Sequence, residues 1–200
     1  MQKFNKIIFA SHNNGKINEI REMLAPLGIT VLSGNDLNLP DVEETGNTFE
    51  ENAYIKALAA AKEQNIPCIA DDSGLCVDAI GGRPGVYTAR YAPERDYNKG
   101  MDKLLNEIAE TRSTNRSAHF SCVIVLAYPN GDYKSFEGRV DGSIASKKSG
   151  QAGFGYDPIF IPTGFNRSFA EFDSEEKNKI SHRGRALQKF VEFLMKQEND

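Results

Sequence analysis

The chain has 200 residues, 40% hydrophobic and 26% charged, a composition typical of a globular protein with its own core, and we expect a single domain over residues 1–200. A net charge of −4 and a pI of about 5.5 disfavour a nucleic-acid binder, which needs a basic surplus against the phosphates. The N-terminus lacks the apolar segment of a signal peptide, and the longest apolar run, 122–128, is far shorter than the roughly 20 residues of a membrane span, so we expect a cytoplasmic protein that does not enter a membrane.

The first part of the chain alternates strand and helix signals. Pro26 ends the first helical pattern, and Thr48 begins the second, where Glu51 completes a capping box. A short apolar strand before Asp71 is expected to stop at that residue. The predicted elements are a strand at 7–10, a helix at 16–24, a strand at 29–32, a helix from 48 to about 65 and a strand at 67–70.

The second part combines a strand hairpin with two further helices. The turn sequence 129–132, Pro-Asn-Gly-Asp, predicts a hairpin between its two flanking apolar runs. The predicted elements are a helix at 98–110, strands at 118–128 and 133–140, and a closing helix from 181 to about 197. Together the elements predict an α/β fold with a mixed sheet. The three cysteines lie in apolar stretches without paired spacing, which indicates buried, reduced thiols.

A polar loop between the first strand and the first helix is a candidate phosphate site. Asn and Gly tolerate left-handed backbone angles, so several N–H groups of this loop could form an anion nest. The helix N-terminus adds partial positive charge and the lysine a full one. The spacing is not that of a Walker A motif, and an ordinary strand-to-helix turn remains the alternative. The loop residues are Ser11, His12, Asn13, Asn14, Gly15 and Lys16.

Two acidic segments are candidates for metal binding and proton transfer. Asp71 and Asp72, followed by Ser73, come after a buried strand, where α/β sheets place their ligands. An aspartate there could hold Mg²⁺ or accept a proton from attacking water, and the alternative is a solvated turn. Glu43 and Glu44 could complete a metal site, although two acids in a loop are more often simply solvated.

The last candidates are an aromatic turn and a basic segment. The run Phe154-Gly155-Tyr156-Asp157 could offer rings on which a base stacks, or it could be a tight turn with its aromatics in the core. Four basic residues are candidate donors to a phosphate or a purine carbonyl. The lysines and the arginine could equally be solvated surface residues, and the histidine could be a helix-start residue with no ligand. The four residues are Lys56, Lys177, His182 and Arg183.

The order of these motifs along the chain is more specific than any one of them. In chain order they read S-H-N-N-G-K, E-E-T-G-N-T-F-E-E-N-A, I-A-D-D-S-G-L, G-G-R-P-G-V-Y-T-A-R-Y, G-F-G-Y-D-P-I-F and K-I-S-H-R-G-R-A-L, within a match that extends from residue 7 to residue 194. This series resembles the inosine triphosphate pyrophosphatase family, in its bacterial dITP/XTP pyrophosphatase branch. The resemblance implies a long, twisted mixed β-sheet flanked by helices, with two lobes around a substrate cleft.

The resemblance also implies an activity and a role for each motif. Members are Mg²⁺-dependent homodimers that hydrolyse ITP, dITP and XTP to the monophosphate and pyrophosphate, removing deaminated purine nucleotides before they enter DNA and RNA. Asp72 matches the proton acceptor and metal ligand, and Glu43 and Glu44 match the acidic metal-binding segment. The substrate contacts match Ser11, His12, Asn13, Asn14, Gly15, Lys16, Lys56, Ser73, Phe154, Gly155, Tyr156, Asp157, Lys177, His182 and Arg183.

Two other functions are compatible with parts of the pattern. A non-catalytic nucleotide-binding module would lack the carboxylates, yet Asp72 and both glutamates are present. A nucleotide pyrophosphatase of broader specificity, such as a Maf-like enzyme, is disfavoured by the G-F-G-Y-D-P and S-H-R elements. For the favoured function, donors such as Arg183 and His182 would select a 6-carbonyl over the 6-amino group of adenine, because a donor facing a donor leaves both unpaired.

Overall fold

A computed structural model describes residues 5–197 of the chain. Seven strands pair in the order β2-β1-β3-β5-β6-β7, and β4 also pairs with β3. The strands are β1 Lys6–Phe9, β2 Thr30–Ser33, β3 Cys68–Val77, β4 Arg83–Pro84, β5 Ser117–Ala127, β6 Tyr133–Ile144 and β7 Phe160–Pro162. The helices are α1 Asn14–Leu24, α2 Gly34–Leu37, α3 Phe49–Gln64, α4 Tyr97–Glu110, α5 Ser174–Ile180 and α6 His182–Gln197.

The chain forms two compact units, and β3, β5 and β6 each contribute residues to both. The first unit comprises the residues up to Asp72, Cys122–Gly138 and the residues from Arg183 onward. Its strands β1, β2 and β3 pair in parallel, as expected for strands that are joined through helices. The second unit comprises Ser73–Ser121 and Arg139–His182, where β4 and β7 pair antiparallel with β3 and β6.

Alternation along the strands of the first unit produces two separate cores. Ile7 and Phe9 pack in one cluster with apolar residues of α1 and α6, whereas Ile8 packs in another with the alanines of α3. Successive side chains of a strand point to opposite faces, so helices cover both faces of this part of the sheet. The second unit has a single core, in which Phe120, Phe160 and Phe169 pack against residues of α4.

The predicted fold class is confirmed, and most predicted elements are present within one to four residues of their expected bounds. The capping box at the start of α3 is formed as predicted: the Thr48 hydroxyl accepts from the N–H of Glu51, whose carboxylate accepts from the N–H of Thr48. Each of these contacts spans three residues, so local sequence determines it. The three cysteines are free, with Cys68 and Cys122 buried and Cys76 partly exposed. The single domain over residues 1–200 stays a prediction.

The predicted end of the third strand is wrong. β3 continues through Asp71 and Asp72 to Val77, and both aspartates are buried, with 1% and 4% of their surface exposed. They therefore lie within a strand and not in a solvated turn. A buried carboxylate is tolerated only when it is paired or hydrogen-bonded, so both aspartates are expected to have partners within the protein.

The short helix α5 is not among the predicted elements, although Asp173 and Glu176 form a capping box at its start. Within residues 5–197, no helix combines the length and the apolar character that crossing a bilayer requires.

Candidate active site

The candidate phosphate loop leads from β1 directly into the first turn of α1. Asn13 is the N-cap of α1, and its Oδ1 accepts from the N–H of Lys16 at 3.2 Å. α1 therefore begins at Asn14, two residues before the predicted start, and the loop presents the N-terminal end of an 11-residue helix. The partial positive charge of such an end attracts anions, as the sequence suggested.

The expected nest of left-handed residues is wrong. Positive φ angles occur at other asparagines and glycines of the chain, but at none of the described residues 11–16. The side chains instead hold the loop in place. His12 Nε2 lies 2.8 Å from the carbonyl oxygen of Leu39, and Asn35 donates to the Asn14 side chain at 3.2 Å and to the His12 carbonyl at 3.3 Å. An anion at this loop would therefore meet the helix N-terminus and Lys16, and not a nest of left-handed residues.

Asp71 lies at the centre of a buried ionic network in the first unit. Its Oδ2 accepts from Arg183 Nε at 3.1 Å and Nη2 at 3.0 Å, and its Oδ1 accepts from Lys16 Nζ at 3.2 Å. Burial would raise the pKa of Asp71, but the charges of Lys16, Arg183 and Lys56 outweigh burial and hold it well below its usual range. Asp71 is therefore a fixed anion that supports Lys16 from inside the protein.

Arg183 occupies a different place from the one that a base contact would need. Its side chain is almost wholly buried, and in addition to Asp71 its Nη1 donates to Glu19. Three guanidinium nitrogens thus face carboxylates of the first unit. Arg183 therefore stabilises Asp71. Because these guanidinium nitrogens already donate to carboxylates, the structure does not favour the expectation that Arg183 itself selects the base.

Asp72 lies beside a lysine that also binds an acidic loop. Lys56 Nζ donates to Glu44 Oε1 at 2.6 Å and lies 4.0 Å from Asp72 Oδ1. Burial raises the pKa of Asp72; Lys56 and Lys16 oppose this shift, whereas Glu44 adds to it. Glu44 is partly buried and Glu43 is exposed, so the geometry favours Glu44 as the glutamate that acts with Asp72.

The donor set around Asp72 fits a divalent cation of the magnesium type. The Lys56 ammonium lies 2.6 Å from Glu44 Oε1 and 4.0 Å from Asp72 Oδ1, so both carboxylates face the same positively charged group. Residues 5–197 contain no cluster of three or more acidic, His or Cys side chains arranged as a complete protein cage. Mg²⁺ typically uses one or two carboxylates together with substrate phosphates and water, so two carboxylates suffice.

Asn52 is a site residue that sequence reasoning did not single out. It is fully buried on α3, and its Nδ2 donates to Asp72 Oδ2 at 3.1 Å. It lies four residues before Lys56, hence on the same face of α3. In the sequence, Asn52 stands in the motif E-E-T-G-N-T-F-E-E-N-A, four residues before Lys56, but neither its position nor its residue type indicates that its side chain is buried against Asp72.

In the second unit, Asp157 organises the aromatic turn. Its Oδ2 accepts from the N–H of Phe154 at 3.0 Å and from Lys177 Nζ at 2.6 Å, and both charged side chains are buried. Gly153 has a φ of +69°, and a Cβ there would lie 2.0 Å from Asp157 Oδ2. The turn is therefore rigid, and Asp157 and Lys177 bind one another in it.

The two aromatic residues of this turn differ in exposure. Tyr156 belongs to the core, where its hydroxyl donates to the Thr88 carbonyl at 3.2 Å. Phe154 is partly exposed, and Lys177 Nζ lies 5.0 Å from the centre of its ring. The expected pair of stacking rings is thus reduced to Phe154, beside the partly exposed Gly155.

His182 is buried against the core of the second unit. Its ring stacks on Phe120, with 4.7 Å between ring centres and 11° between planes. Of the predicted site residues, the first unit contains the loop 11–16, both glutamates, Lys56, Asp72 and Arg183; the second contains Ser73, residues 154–157, Lys177 and His182. Within the first unit, Asp71 links Lys16 with Arg183, and Lys56 links Glu44 with Asp72.

Comparisons with known proteins agree with this architecture. A model of the Ham1 family matches residues 7–193. A dITP/XTP pyrophosphatase of Bacillus subtilis is 48% identical over 94% of this chain and 96% of its own, and one of Mesorhizobium japonicum is 45% identical over 94% and 92%. The solved structure of a HAM1 protein from Coxiella burnetii is 41% identical, with a TM-score of 0.88 over 96% of this chain and 98% of its own. The Ham1 protein of Staphylococcus aureus is 43% identical, with a TM-score of 0.84 over 96% and 99%. With the family model covering almost its whole length, this chain belongs to the Ham1 family.

Proposed function

We propose that this protein hydrolyses deaminated purine nucleoside triphosphates, ITP, dITP and XTP, to the monophosphate and pyrophosphate. The observation that carries the proposal is the buried Asp72 carboxylate beside Lys56 and Glu44. The names of the relatives, dITP/XTP pyrophosphatases at 45–48% identity, support the substrate class. Such an activity would remove these nucleotides before they enter DNA and RNA.

The residues of the first unit suit the triphosphate. The N-terminus of α1 and Lys16 offer positive charge to the phosphates, and Asp71 holds the lysine in place. Hydrolysis loads negative charge onto the leaving pyrophosphate, and prearranged positive groups stabilise that charge most strongly where water is excluded. Lys16 and Lys56 would both contribute in this way.

Asp72 is suited to orient a water molecule and take its proton. Burial raises the pKa of Asp72, which makes its carboxylate a stronger base, while the charge of Lys56 favours the ionised form. Glu44 and Asp72 would hold Mg²⁺, which when bound neutralises phosphate charge and polarises the phosphorus–oxygen bond. The donor set described above supports this metal dependence.

Base recognition would depend on the aromatic turn and on His182. Phe154 offers the one partly exposed ring of the aromatic turn, and Gly155 lets the backbone approach a ligand closely. Because Arg183 is bound to Asp71 and Glu19, we assign the selection of a 6-carbonyl to His182 and backbone N–H groups. A mismatched buried donor costs about 1–3 kcal/mol, so two of them separate ITP from ATP by orders of magnitude.

The setting of the enzyme follows from the same resemblance. We propose a cytoplasmic homodimer with a small-molecule substrate and no nucleic-acid or membrane partner. The negative net charge supports the absence of a nucleic-acid partner. Light scattering on the purified protein tests the assembly, and a monomeric mass at micromolar concentration would contradict it.

The test of the function is pyrophosphate release from ITP, dITP, XTP, GTP and ATP, each with and without Mg²⁺. We expect rapid release from the first three, slow release from GTP and ATP, and none after chelation. Equal rates on ITP and ATP would refute the selection of a 6-carbonyl. Binding without release from any nucleotide would identify a nucleotide-binding module instead of an enzyme.

A further inference from the structure

The side-chain amide of Asn52 accepts one hydrogen bond and donates another, and the first determines which atom is left to make the second. Its Oδ1 accepts from the N–H of Gly46 at 2.8 Å, and its Nδ2 donates to Asp72 Oδ2 at 3.1 Å. A backbone N–H can only donate, so the atom that faces Gly46 must be the amide oxygen, and the nitrogen must face Asp72. Because Asn52 is fully buried, water cannot replace either bond.

This arrangement gives the two oxygens of Asp72 different surroundings. Oδ2 is bound by Asn52, whereas Oδ1 is the oxygen 4.0 Å from Lys56 Nζ. Asn52 and Lys56 lie one turn apart on the same face of α3, so a single helix face orients the carboxylate from two sides. The carboxylate cannot rotate without breaking the bond to Asn52.

The other end of Asn52 sets the position of the acidic loop. Gly46 follows Glu44 by two residues, and a Cβ on Gly46 would lie 2.6 Å from Glu51 Cβ and 2.7 Å from Asn52 Oδ1. The loop backbone thus approaches α3 as closely as a glycine permits. That contact brings Glu44 to the Lys56 ammonium.

We propose that Asn52 is a positioning residue for the reaction: it turns Asp72 Oδ1 toward Lys56 and anchors the loop that carries Glu44. The inference rests on the proposed function, which supplies the reaction that the two carboxylates serve. Asn52 acts through Asp72 and Glu44 and touches no reacting atom. Its removal should therefore weaken turnover and the use of metal more than it weakens the binding of nucleotide, which depends on Lys16 and the α1 N-terminus.

The first test uses the protein without nucleotide and with a chelator, and it measures thermal unfolding. Asn52→Asp keeps the acceptor for Gly46 but loses the donor and places a second carboxylate against Asp72, so the melting temperature should fall. In the double variant Asn52→Asp/Asp72→Asn the bond reverses, with the new amide donating, and the melting temperature should return toward the wild-type value. Additive effects of the two substitutions would overturn the inferred contact.

The second test measures hydrolysis of dITP over a range of Mg²⁺ concentrations. Asn52→Ala should lower kcat and raise the half-saturating Mg²⁺ concentration by about 10–100-fold, as the loss of groups that orient metal ligands does elsewhere, with little change in the KM for nucleotide. Ala61→Gly, at a fully buried position of the same helix, is the matched control. It weakens α3 without touching Asp72 and should keep the wild-type kcat and metal dependence.

The outcomes separate the inference from the proposed function. If the wild type releases pyrophosphate while Asn52→Ala and Ala61→Gly have the same kcat and metal dependence, Asn52 has no positioning role. A rise in KM alone would assign Asn52 to nucleotide binding, which also overturns the inference. If the wild type releases no pyrophosphate from any nucleotide, the proposed function fails, and the unfolding experiment still decides whether Asn52 orients Asp72.

Discussion

Replacing Arg183 with methionine removes the positive charge that Asp71 and Glu19 share inside the first unit. Removing one partner of a buried ion pair costs about 3–5 kcal/mol, because the remaining charge is left without compensation. Lys16 Nζ still lies 3.2 Å from Asp71, so we expect the lower part of that range, about 3 kcal/mol. For a chain of this size that amounts to a fall in Tm of about 6–12 °C.

Thermal and urea unfolding of Arg183→Met, followed by circular dichroism, measure this loss. The matched variant Arg183→Met/Asp71→Asn/Glu19→Gln also removes the two carboxylate charges, and it should recover most of the stability, since a buried ionic network can be replaced by neutral groups at little cost. An unfolding free energy of Arg183→Met within about 1 kcal/mol of the wild type would refute the assigned network.

A second substitution, Arg183→Lys, tests whether Arg183 stabilises Asp71 or contacts the base. If Arg183 acts through Asp71 and Lys16, Arg183→Lys should lower kcat/KM for ITP and for ATP by similar factors. The ratio of the two values, which measures selection of the 6-carbonyl, should then stay near that of the wild type. A selective loss on ITP would instead show that Arg183 contacts the base.

Three further experiments, two on variants and one on the reactivity of the thiols, test other parts of the structure. Asp72→Asn should lower kcat by about 10²–10⁴-fold without lowering the Tm. Steady-state kinetics measure the first effect and calorimetry the second, and a kcat close to that of the wild type would exclude a catalytic role for Asp72. Gly153→Ala should cost about 2–3 kcal/mol in urea unfolding, more than Gly164→Ala, because both have positive φ but only the former meets Asp157. One thiol, Cys76, should react quickly with a disulfide reagent in the folded protein and three in urea; two fast thiols would contradict the burial of the others.

The expected slow reaction of the Cys68 and Cys122 thiols follows from their burial. Burial raises the pKa of Cys68 to about 12, and burial together with the neighbouring Asp71 raises the pKa of Cys122 as well. The thiolate is the reactive form, so both groups are protected by their charge state and by their inaccessibility. Cys76 also has a raised pKa, but its partial exposure leaves a route for the reagent.

Elements with local determinants were predictable from sequence. Thr48 and Glu51 satisfy each other's backbone groups within one turn, and the turn of the β5–β6 hairpin has its characteristic residues side by side. The missed helix α5 carries the same kind of signal, since Asp173 and Glu176 form a capping box. Its seven residues have no apolar stripe long enough to show a helical period.

The aspartates of β3 show why the rest was not predictable. Two adjacent acids followed by Ser and Gly resemble a turn, and only their partners make a strand possible. Lys16 is 55 residues from Asp71, and Arg183 is 112 residues from it. Asn52, which binds Asp72, is 20 residues from it. The burial of both aspartates therefore depends on contacts that no local sequence pattern indicates.

In the candidate site, too, the sequence predicted the segments but not the contacts between their residues. The ordered motifs identified the segments that carry Asp72, Glu44 and Lys56, because residue type and order are properties of the sequence. Which residue supports which depends on tertiary contacts. Arg183 was expected at a base and lies against Asp71, whereas Asn52 was overlooked and binds Asp72.

The most direct test of the function is which phosphate bond of a deaminated purine nucleotide the protein cleaves. Phosphorus NMR of the products of dITP and Mg²⁺ decides this, because each product has its own resonance. We expect cleavage between the α and β phosphates, giving dIMP and pyrophosphate in equal amounts from the first turnover, and about 10²–10⁴-fold slower formation of both by the Asp72→Asn variant. Formation of dIDP and inorganic phosphate would contradict it.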